Sequence, residues 1–128
     1  MIVLDTHAWI WWAASPARLS ARARAAIEGA GAIGVSAISV WELAMLVAKE
    51  RLELDRDVLA WARQALALPR VELLALTPEI AVASAGLPAA FPGDPADRII
   101  VSTARESGAA VVSKDARLRG LDAVKTVW

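Results

Sequence analysis

The chain has 128 residues, with 14 basic and 14 acidic side chains and a formal net charge of zero. This length suits one domain around one core, so we expect a single domain over residues 1–128. The charge balance excludes a general basic field, so any binding of nucleic acid has to come from the local arrangement of charges.

Cysteine is absent, which excludes disulfides and thiolate chemistry. The opening residues MIVLDTHAWIWWAAS lack a positively charged segment and include Asp5, so they do not resemble a signal peptide. The sequence contains no run of about 18 uncharged apolar residues without proline, which is the pattern that would predict a membrane span. We expect a cytoplasmic protein with no membrane segment. Because 57% of its residues are hydrophobic, we also expect an interface with another chain.

Strand and helix patterns alternate along the first half of the chain. IVL (2–4) predicts a buried strand. SPARLSARARAAIEGAG predicts a helix capped by Ser15, with Pro16 at its first position and the apolar stripe Leu19, Ala23 and Ile27. AIGVS (32–36) predicts a second strand, and SVWELAMLVAKERL and DRDVLAWARQALALP predict the helices that follow it.

The second half repeats the alternation. VELLAL (71–76) predicts a strand, and Thr77-Pro78 opens the next helix. DPADRIIVSTARESG predicts a helix that Gly108 ends, followed by the strands AVVS (110–113) and KTVW (125–128). This order predicts an α/β sandwich with a mostly parallel sheet of four or five strands.

Four carboxylates stand where such a sheet would gather them. Asp5 follows the first strand, Asp115 follows the strand AVVS, and Glu42 and Asp97 lie near the starts of two helices. In a parallel sheet the carboxyl ends of strands and the amino ends of helices share one edge, which is where open α/β sheets bind ligands. The sequence therefore predicts that the four carboxylates converge.

Each carboxylate also has a structural interpretation. Glu42 completes a capping box with Ser39, and Asp97 pairs similarly with Asp94, the expected N-cap ahead of Pro95. Asp5 and Asp115 can each begin a helix or turn. Capping alone, however, does not offset the mutual repulsion of four carboxylates in one cleft, whereas a divalent cation does.

The residue types then narrow the chemistry. Cysteine is absent and His7 is the only histidine, which argues against a zinc site and against serine–histidine catalysis. The glycines of GAGAIG lead into a strand rather than a helix, which argues against a phosphate-binding loop. Carboxylate oxygens suit Mg²⁺ or Mn²⁺, which in such sites activate water and neutralise phosphate.

Four segments in order carry a family resemblance: VLDTHAWIWW, SAISVWELAMLVAKERL, DPADRIIVSTA and VVSKDARL. They resemble the successive motifs of PIN-domain ribonucleases, and more closely the VapC toxins of type II toxin–antitoxin systems, from about residue 2 to residue 128. The resemblance implies a PIN-like α/β/α sandwich and metal-dependent cleavage of single-stranded or loop RNA. It also implies a homodimer and a cognate antitoxin that covers the acidic pocket.

The resemblance assigns roles to the acidic quartet, in which all four residues are expected to be catalytic and to bind Mg²⁺ or Mn²⁺. Asp5 and Asp97 would be direct ligands, Glu42 would bind through water or orient the nucleophile, and Asp115 would complete a second metal position. Asp94 is extra to the quartet and is expected to be a cap.

Four further side chains near the motifs are candidates for supporting roles. Ser113 stands where the family often has threonine and could polarise water. Arg98 and Lys114 adjoin proposed ligands and are candidates for binding phosphate. His7 lies beside the expected pocket and is a candidate for catalysis, but could equally be structural.

Two other functions compete with a nuclease. A phospho-acceptor receiver domain fits the chain length and the SKD segment, but it needs an acidic pair after the first strand, whereas Thr6 and His7 follow Asp5. An acidic α/β binding module without catalysis is the other alternative, and metal-dependent turnover separates it from an enzyme.

Overall fold

A computed structural model describes residues 1–91, 94–119 and 122–128. Its centre is a parallel sheet of five strands in the order β3-β2-β1-β4-β5. The strand bounds are β1 Ile2–Leu4, β2 Ile33–Ser36, β3 Val71–Leu74, β4 Ala110–Val112 and β5 Thr126–Val127. β1 lies between β2 and β4, with Val3 opposite Gly34 on one side and Val111 on the other. The predicted parallel α/β sheet is confirmed.

Helices connect the strands and cover both faces of the sheet. Their bounds are α1 Thr6–Ala14, α2 Ala21–Gly29, α3 Ala37–Ala48, α4 Val58–Leu66, α5 Pro78–Ala85, α6 Pro95–Glu106 and α7 Ala116–Arg119. Alternate residues of β1 point to opposite faces, as in any strand. Ile2 and Leu4 pack with the cluster under α1 to α4, and Val3 packs with Ile100 and Ala104 of α6. The result is an α/β/α sandwich.

Tryptophans fill much of the larger core cluster. Trp9 is fully buried, and its ring meets Trp61 of α4 edge-on at a centroid distance of 5.4 Å. Trp12 packs half-buried against the same cluster. Trp11 lies on another side of α1, where its ring contacts His7 and Trp128. Trp9 therefore anchors α1 to the sheet, while Trp11 is partly buried at the edge of the same cluster and also lines the cavity described below.

The predicted first long helix is wrong at its beginning. Ser15 and Pro16 introduce a 3₁₀ turn over Pro16–Arg18, and Leu19 then has extended backbone. The N-cap of α2 is Ser20, whose hydroxyl accepts a hydrogen bond from the Ala23 N–H at 3.0 Å. Two start signals lie close together here, and the chain bends between them so that Leu19, Ala23 and Ile27 are all buried in the core.

Other helix ends follow their sequence signals. Thr77 caps α5 with Pro78 at its first position. Gly108, just beyond α6, has φ +63°, a left-handed conformation that glycine adopts without steric cost.

Across the described residues, no helix is both long and apolar enough to cross a membrane.

Candidate active site

The predicted carboxylates come together in one cavity. At the carboxyl edge of the sheet, a cavity of about 380 Å³ is lined by Asp5, Thr6, His7, Trp11, Glu42, Asp94, Asp97, Lys114, Asp115 and Arg117. The strands β1 and β4 end there, and helices α1, α6 and α7 begin there. The parallel topology thus brings Asp5, Glu42, Asp97 and Asp115 to one place. We refer to Asp5, Glu42 and Asp97 as the floor carboxylates and to Asp115 with Arg117 as the rim pair.

Asp5 is the most buried of the floor carboxylates, with 8% of its surface exposed. It is the N-cap of α1, and its Oδ1 accepts a hydrogen bond from the Ala8 N–H at 2.8 Å. Burial raises the pKa of Asp5, while the hydrogen bonds from Ser113 and the Ala8 N–H oppose that rise. Asp5 therefore caps a helix and lines the cavity at once, so the two interpretations do not exclude each other.

Ser113 lies between Asp5 and the rim pair. Its side chain is fully buried, its Oγ accepts a hydrogen bond from the Asp115 N–H at 3.0 Å, and its hydroxyl lowers the pKa of Asp5. The residue is thus placed to orient the backbone of Asp115. A role in polarising water stays a prediction.

Glu42 lies in the second turn of α3, not in a capping box. The N-cap of α3 is Ser36, so the predicted pairing of Glu42 with Ser39 across the helix start is wrong. Glu42 instead accepts a short hydrogen bond from the buried hydroxyl of Thr6, whose oxygen is 3.0 Å from the Ser39 hydroxyl. Burial, followed by the charge of Asp94, raises the pKa of Glu42, although the bond from Thr6 opposes the rise.

The pKa of Asp97 is strongly raised. Burial and then the negative charges of Asp94, Glu42, Asp115 and Asp5 raise its pKa from 3.8 to about 7. Asp94 is the N-cap of α6 as predicted, with its Oδ1 2.9 Å from the Ala96 N–H that donates to it. Because Asp94 also lines the cavity, its charge adds to the repulsion around Asp97.

The rim pair has the opposite character. The Arg117 guanidinium donates to both oxygens of Asp115, with Nη2 2.7 Å from Oδ2, and the same nitrogen lies 3.5 Å from Oδ2 of Asp97. The hydrogen bond from Arg117 holds the pKa of Asp115 below its ordinary value. Arg117 is thus hydrogen-bonded to Asp115 and within ion-pair distance of Asp97.

The remaining predicted side chains divide into two groups. Lys114 and His7 line the cavity beside Trp11, with the Lys114 Nζ 5.8 Å from the centre of its ring. Arg98 points elsewhere: its Nε and Nη2 donate to the carbonyl oxygens of Ser84 and Leu87 at 3.0 and 2.7 Å. Arg98 does not line the cavity and its guanidinium is engaged at the end of α5, so its phosphate role stays a prediction without support from the structure.

The donor set fits a hard divalent cation. Five carboxylates line one cavity, those of the quartet and Asp94, and after burial their negative charges are the further causes that raise the pKa of Asp97. Within the described ranges, however, no three acidic or histidine side chains stand close enough together to hold an ion in their present positions. The assignment of metal ligands therefore stays a prediction, and binding would require these side chains to draw together.

Sequence reasoning missed Thr6 and Arg117. Thr6 immediately follows Asp5, but a threonine in the first turn of a helix carries no signal that it will contact Glu42, which is 36 residues away. Arg117 follows Asp115 by two residues, and such spacing is common at helix starts. Only the positions of α3 and α6 around these residues reveal the contacts.

Comparison with known proteins identifies the family of the chain. The model of the PIN domain family matches residues 2–124. Ribonuclease VapC22 of Mycobacterium tuberculosis is 47% identical over 118 residues, which are 92% of this chain and 89% of that protein.

Solved structures share the fold at low sequence identity. One is VapBC2 from Rickettsia felis bound to a DNA fragment of its promoter, with a TM-score of 0.71, 15% identity, and coverage of 98% of this chain and 97% of that chain. Another is DNA-bound VapBC from Salmonella typhimurium, with a TM-score of 0.71, 19% identity and the same coverage. The chain belongs to the PIN-domain family, in its VapC ribonuclease group.

Proposed function

We propose that this chain is a metal-dependent endoribonuclease that acts as the toxin of a toxin–antitoxin pair and cleaves single-stranded or loop RNA. One observation carries the proposal: the acidic quartet, which the family resemblance assigns to catalysis, lines a single cavity in a chain 47% identical to a ribonuclease. Mg²⁺ or Mn²⁺ is the proposed cofactor, because carboxylate oxygens are the ligands that these ions prefer.

The charge of the cavity explains why a cation is needed. Asp5, Glu42, Asp94, Asp97 and Asp115 all line it, and RNA phosphate would meet their repulsion. The floor carboxylates together with Asp115 would hold the ion. When bound, the ion would neutralise the phosphate, activate water and stabilise the leaving oxygen.

The chain's own groups would then position the reactants. Thr6 donates to Glu42 and leaves the second carboxylate oxygen of Glu42 able to orient a water molecule. The Ala8 N–H keeps Asp5 oriented. Lys114 is exposed at the cavity wall, where its ammonium group could bind an RNA phosphate.

A protein partner is also part of the proposal. The two VapBC neighbours are toxin–antitoxin complexes, which supports a cognate antitoxin for this chain. Trp41, 57% exposed and next to Glu42, offers apolar surface beside the cavity. We propose that an antitoxin covers this region and that the chain forms a homodimer. Toxin activity that is suppressed by the co-purified partner, and released when the partner is removed, would support this.

The alternatives receive less support. A receiver domain needs an acidic pair after the first strand, but Asp5 is followed there by the buried Thr6 and the exposed His7. The PIN family match argues against it as well. A binding module without turnover is separated from the nuclease by the experiment below.

The decisive experiment is cleavage of end-labelled single-stranded RNA by the partner-free chain in Mn²⁺, in Mg²⁺ and in EDTA. Asp97→Asn and Glu42→Gln should abolish the cutting, and Glu106→Gln should not. Glu106 is a matched control, since it is an exposed acid on the same helix as Asp97 and lies outside the cavity. Cutting that persists in EDTA or in Asp97→Asn would contradict the proposal. Tight RNA binding without turnover would favour the binding module.

A further inference from the structure

Arg117 lies across the mouth of the acidic cavity. Its Nε is 3.1 Å from each oxygen of Asp115, and its Nη2 is 2.7 Å from Oδ2 of Asp115 and 3.5 Å from Oδ2 of Asp97. One guanidinium therefore contacts two members of the acidic quartet. Among the described residues, these two carboxylates do not combine with a third acidic or histidine side chain to form an ion site.

The contacts of Arg117 are well placed to exchange. Its side chain is 64% exposed, and exposed ion pairs are weak. If the guanidinium moved away, Asp115 would keep its position, since its Oδ1 accepts a hydrogen bond from the Arg117 N–H at 2.9 Å and its own N–H donates to Ser113. The start of α7 therefore does not depend on the ion pair.

We propose that Arg117 is an exchangeable counter-ion of the cavity, which releases Asp115 and Asp97 when a divalent cation binds and then binds a phosphate oxygen of the RNA at the rim. This rests on the proposed function. The planar guanidinium fork fits carboxylate and phosphate equally well, so the same group can serve both partners. Lys114 does not duplicate this arrangement, because its ammonium group faces the ring of Trp11.

The first test is binding of Mn²⁺ alone to the RNA-free, partner-free chain, measured by calorimetry. Removing a competing cation should tighten binding, so Arg117→Gln should lower the Kd for Mn²⁺ by roughly two- to fivefold, the range that an exposed ion pair supports. Arg119→Gln is the matched control, because Arg119 is an exposed arginine on the same short helix and lies outside the cavity. Arg117→Lys, which retains the charge without the fork, should fall between the two.

The second test is RNA affinity in a Glu42→Gln background with Mn²⁺, using a short fluorescein-labelled single-stranded RNA. The logarithm of the RNA association constant falls linearly with the logarithm of the salt concentration. Loss of one phosphate contact in Arg117→Gln should make this negative slope shallower by about 0.7. Arg119→Gln should change that slope less.

The possible results separate the inference from the proposed function. Equal or weaker Mn²⁺ binding in Arg117→Gln than in Arg119→Gln would overturn the counter-ion role, whether or not the chain is a nuclease. Equal salt slopes in the two variants would overturn the phosphate role. If no form of the chain binds RNA, the proposed function and the phosphate role both fail, and the Mn²⁺ result still decides whether Arg117 competes with metal.

Discussion

The floor carboxylates and the rim pair share one cavity, yet the pKa values of their acids are shifted in opposite directions. Asp97, half-buried among other acids, has a pKa raised to about 7, whereas the bond from Arg117 holds the pKa of Asp115 below its ordinary value. Residue type is the same in both places. Access to solvent and the presence of a guanidinium partner make the difference.

This difference indicates where a bound cation would relieve the most repulsion between carboxylates. The floor carboxylates repel one another and lack a cationic partner among the described residues, apart from the 3.5 Å contact of Arg117 with Asp97. Asp115 is already neutralised locally. A divalent ion would therefore relieve more repulsion at the floor than at the rim.

The largest expected effect comes from comparing Asp5→Asn with Asp115→Asn. Asp5→Asn should lower RNA cleavage by more than the roughly 100-fold that loss of an outer-shell partner causes, and Asp115→Asn by roughly 10-fold. The reason is that Asp5 is buried and held by the hydrogen bond from the Ala8 N–H, while Asp115 lies at the more exposed rim of the cavity. Cleavage rates at saturating Mn²⁺ measure both losses.

Both variants should remain folded, because asparagine also caps helices well. Their thermal unfolding serves as the control. Equal losses of activity in the two variants would remove the distinction between floor and rim.

The next effect is on stability as a function of pH. In the unfolded chain Asp97 loses its proton near pH 3.8, but in the folded chain it keeps the proton up to about pH 7. The folded state therefore binds more protons in this window, and stability of the metal-free chain should fall as pH rises through it. The measurement is Tm at about pH 5 and about pH 8, where the value at the higher pH should be lower.

Asp97→Asn should flatten that pH profile, and saturating Mn²⁺ should also offset the loss at high pH. Glu106→Gln again serves as the control. Parallel profiles for the wild type and Asp97→Asn would mean that Asp97 does not carry the effect.

A smaller effect is expected at the contact between Thr6 and Glu42. Thr6→Val removes the hydroxyl that donates to Glu42, so the pKa of Glu42 should rise further and the acid limb of the pH–rate profile should move to higher pH. Cleavage should fall by roughly 10-fold, as for other outer-shell partners. Thr6→Ser retains the hydroxyl and should behave like the wild type. If Thr6→Ser and Thr6→Val lose activity equally, packing rather than the hydrogen bond is responsible.

The smallest effect is expected for Lys114→Gln. This exposed lysine at the cavity wall should contribute one phosphate contact, so the variant should bind RNA more weakly and with a salt slope lower by about 0.7. The catalytic rate at saturating RNA should be unchanged. Unchanged affinity at low salt would remove the phosphate role from Lys114.

The fold and the convergence of the acids could be predicted from local patterns. Apolar runs separated by helical segments predict parallel strands, and this topology alone brings Asp5, Glu42, Asp97 and Asp115 to one edge. The cap at Asp94 follows from the Asp-Pro pair. Errors arose where two local signals competed, as between Ser15 and Ser20, because burial of Leu19 decided the outcome.

By itself, the sequence determined that the four carboxylates of the quartet reach one cavity, since the order of strands and helices places all four at one edge of the sheet. Only the tertiary structure decided what each of those side chains does there. Arg98 and Arg117 have the same chemistry, yet one holds the end of α5 and the other spans two carboxylates. Their roles depend on carbonyl and carboxylate groups contributed by other elements, at distances that no spacing along the chain specifies.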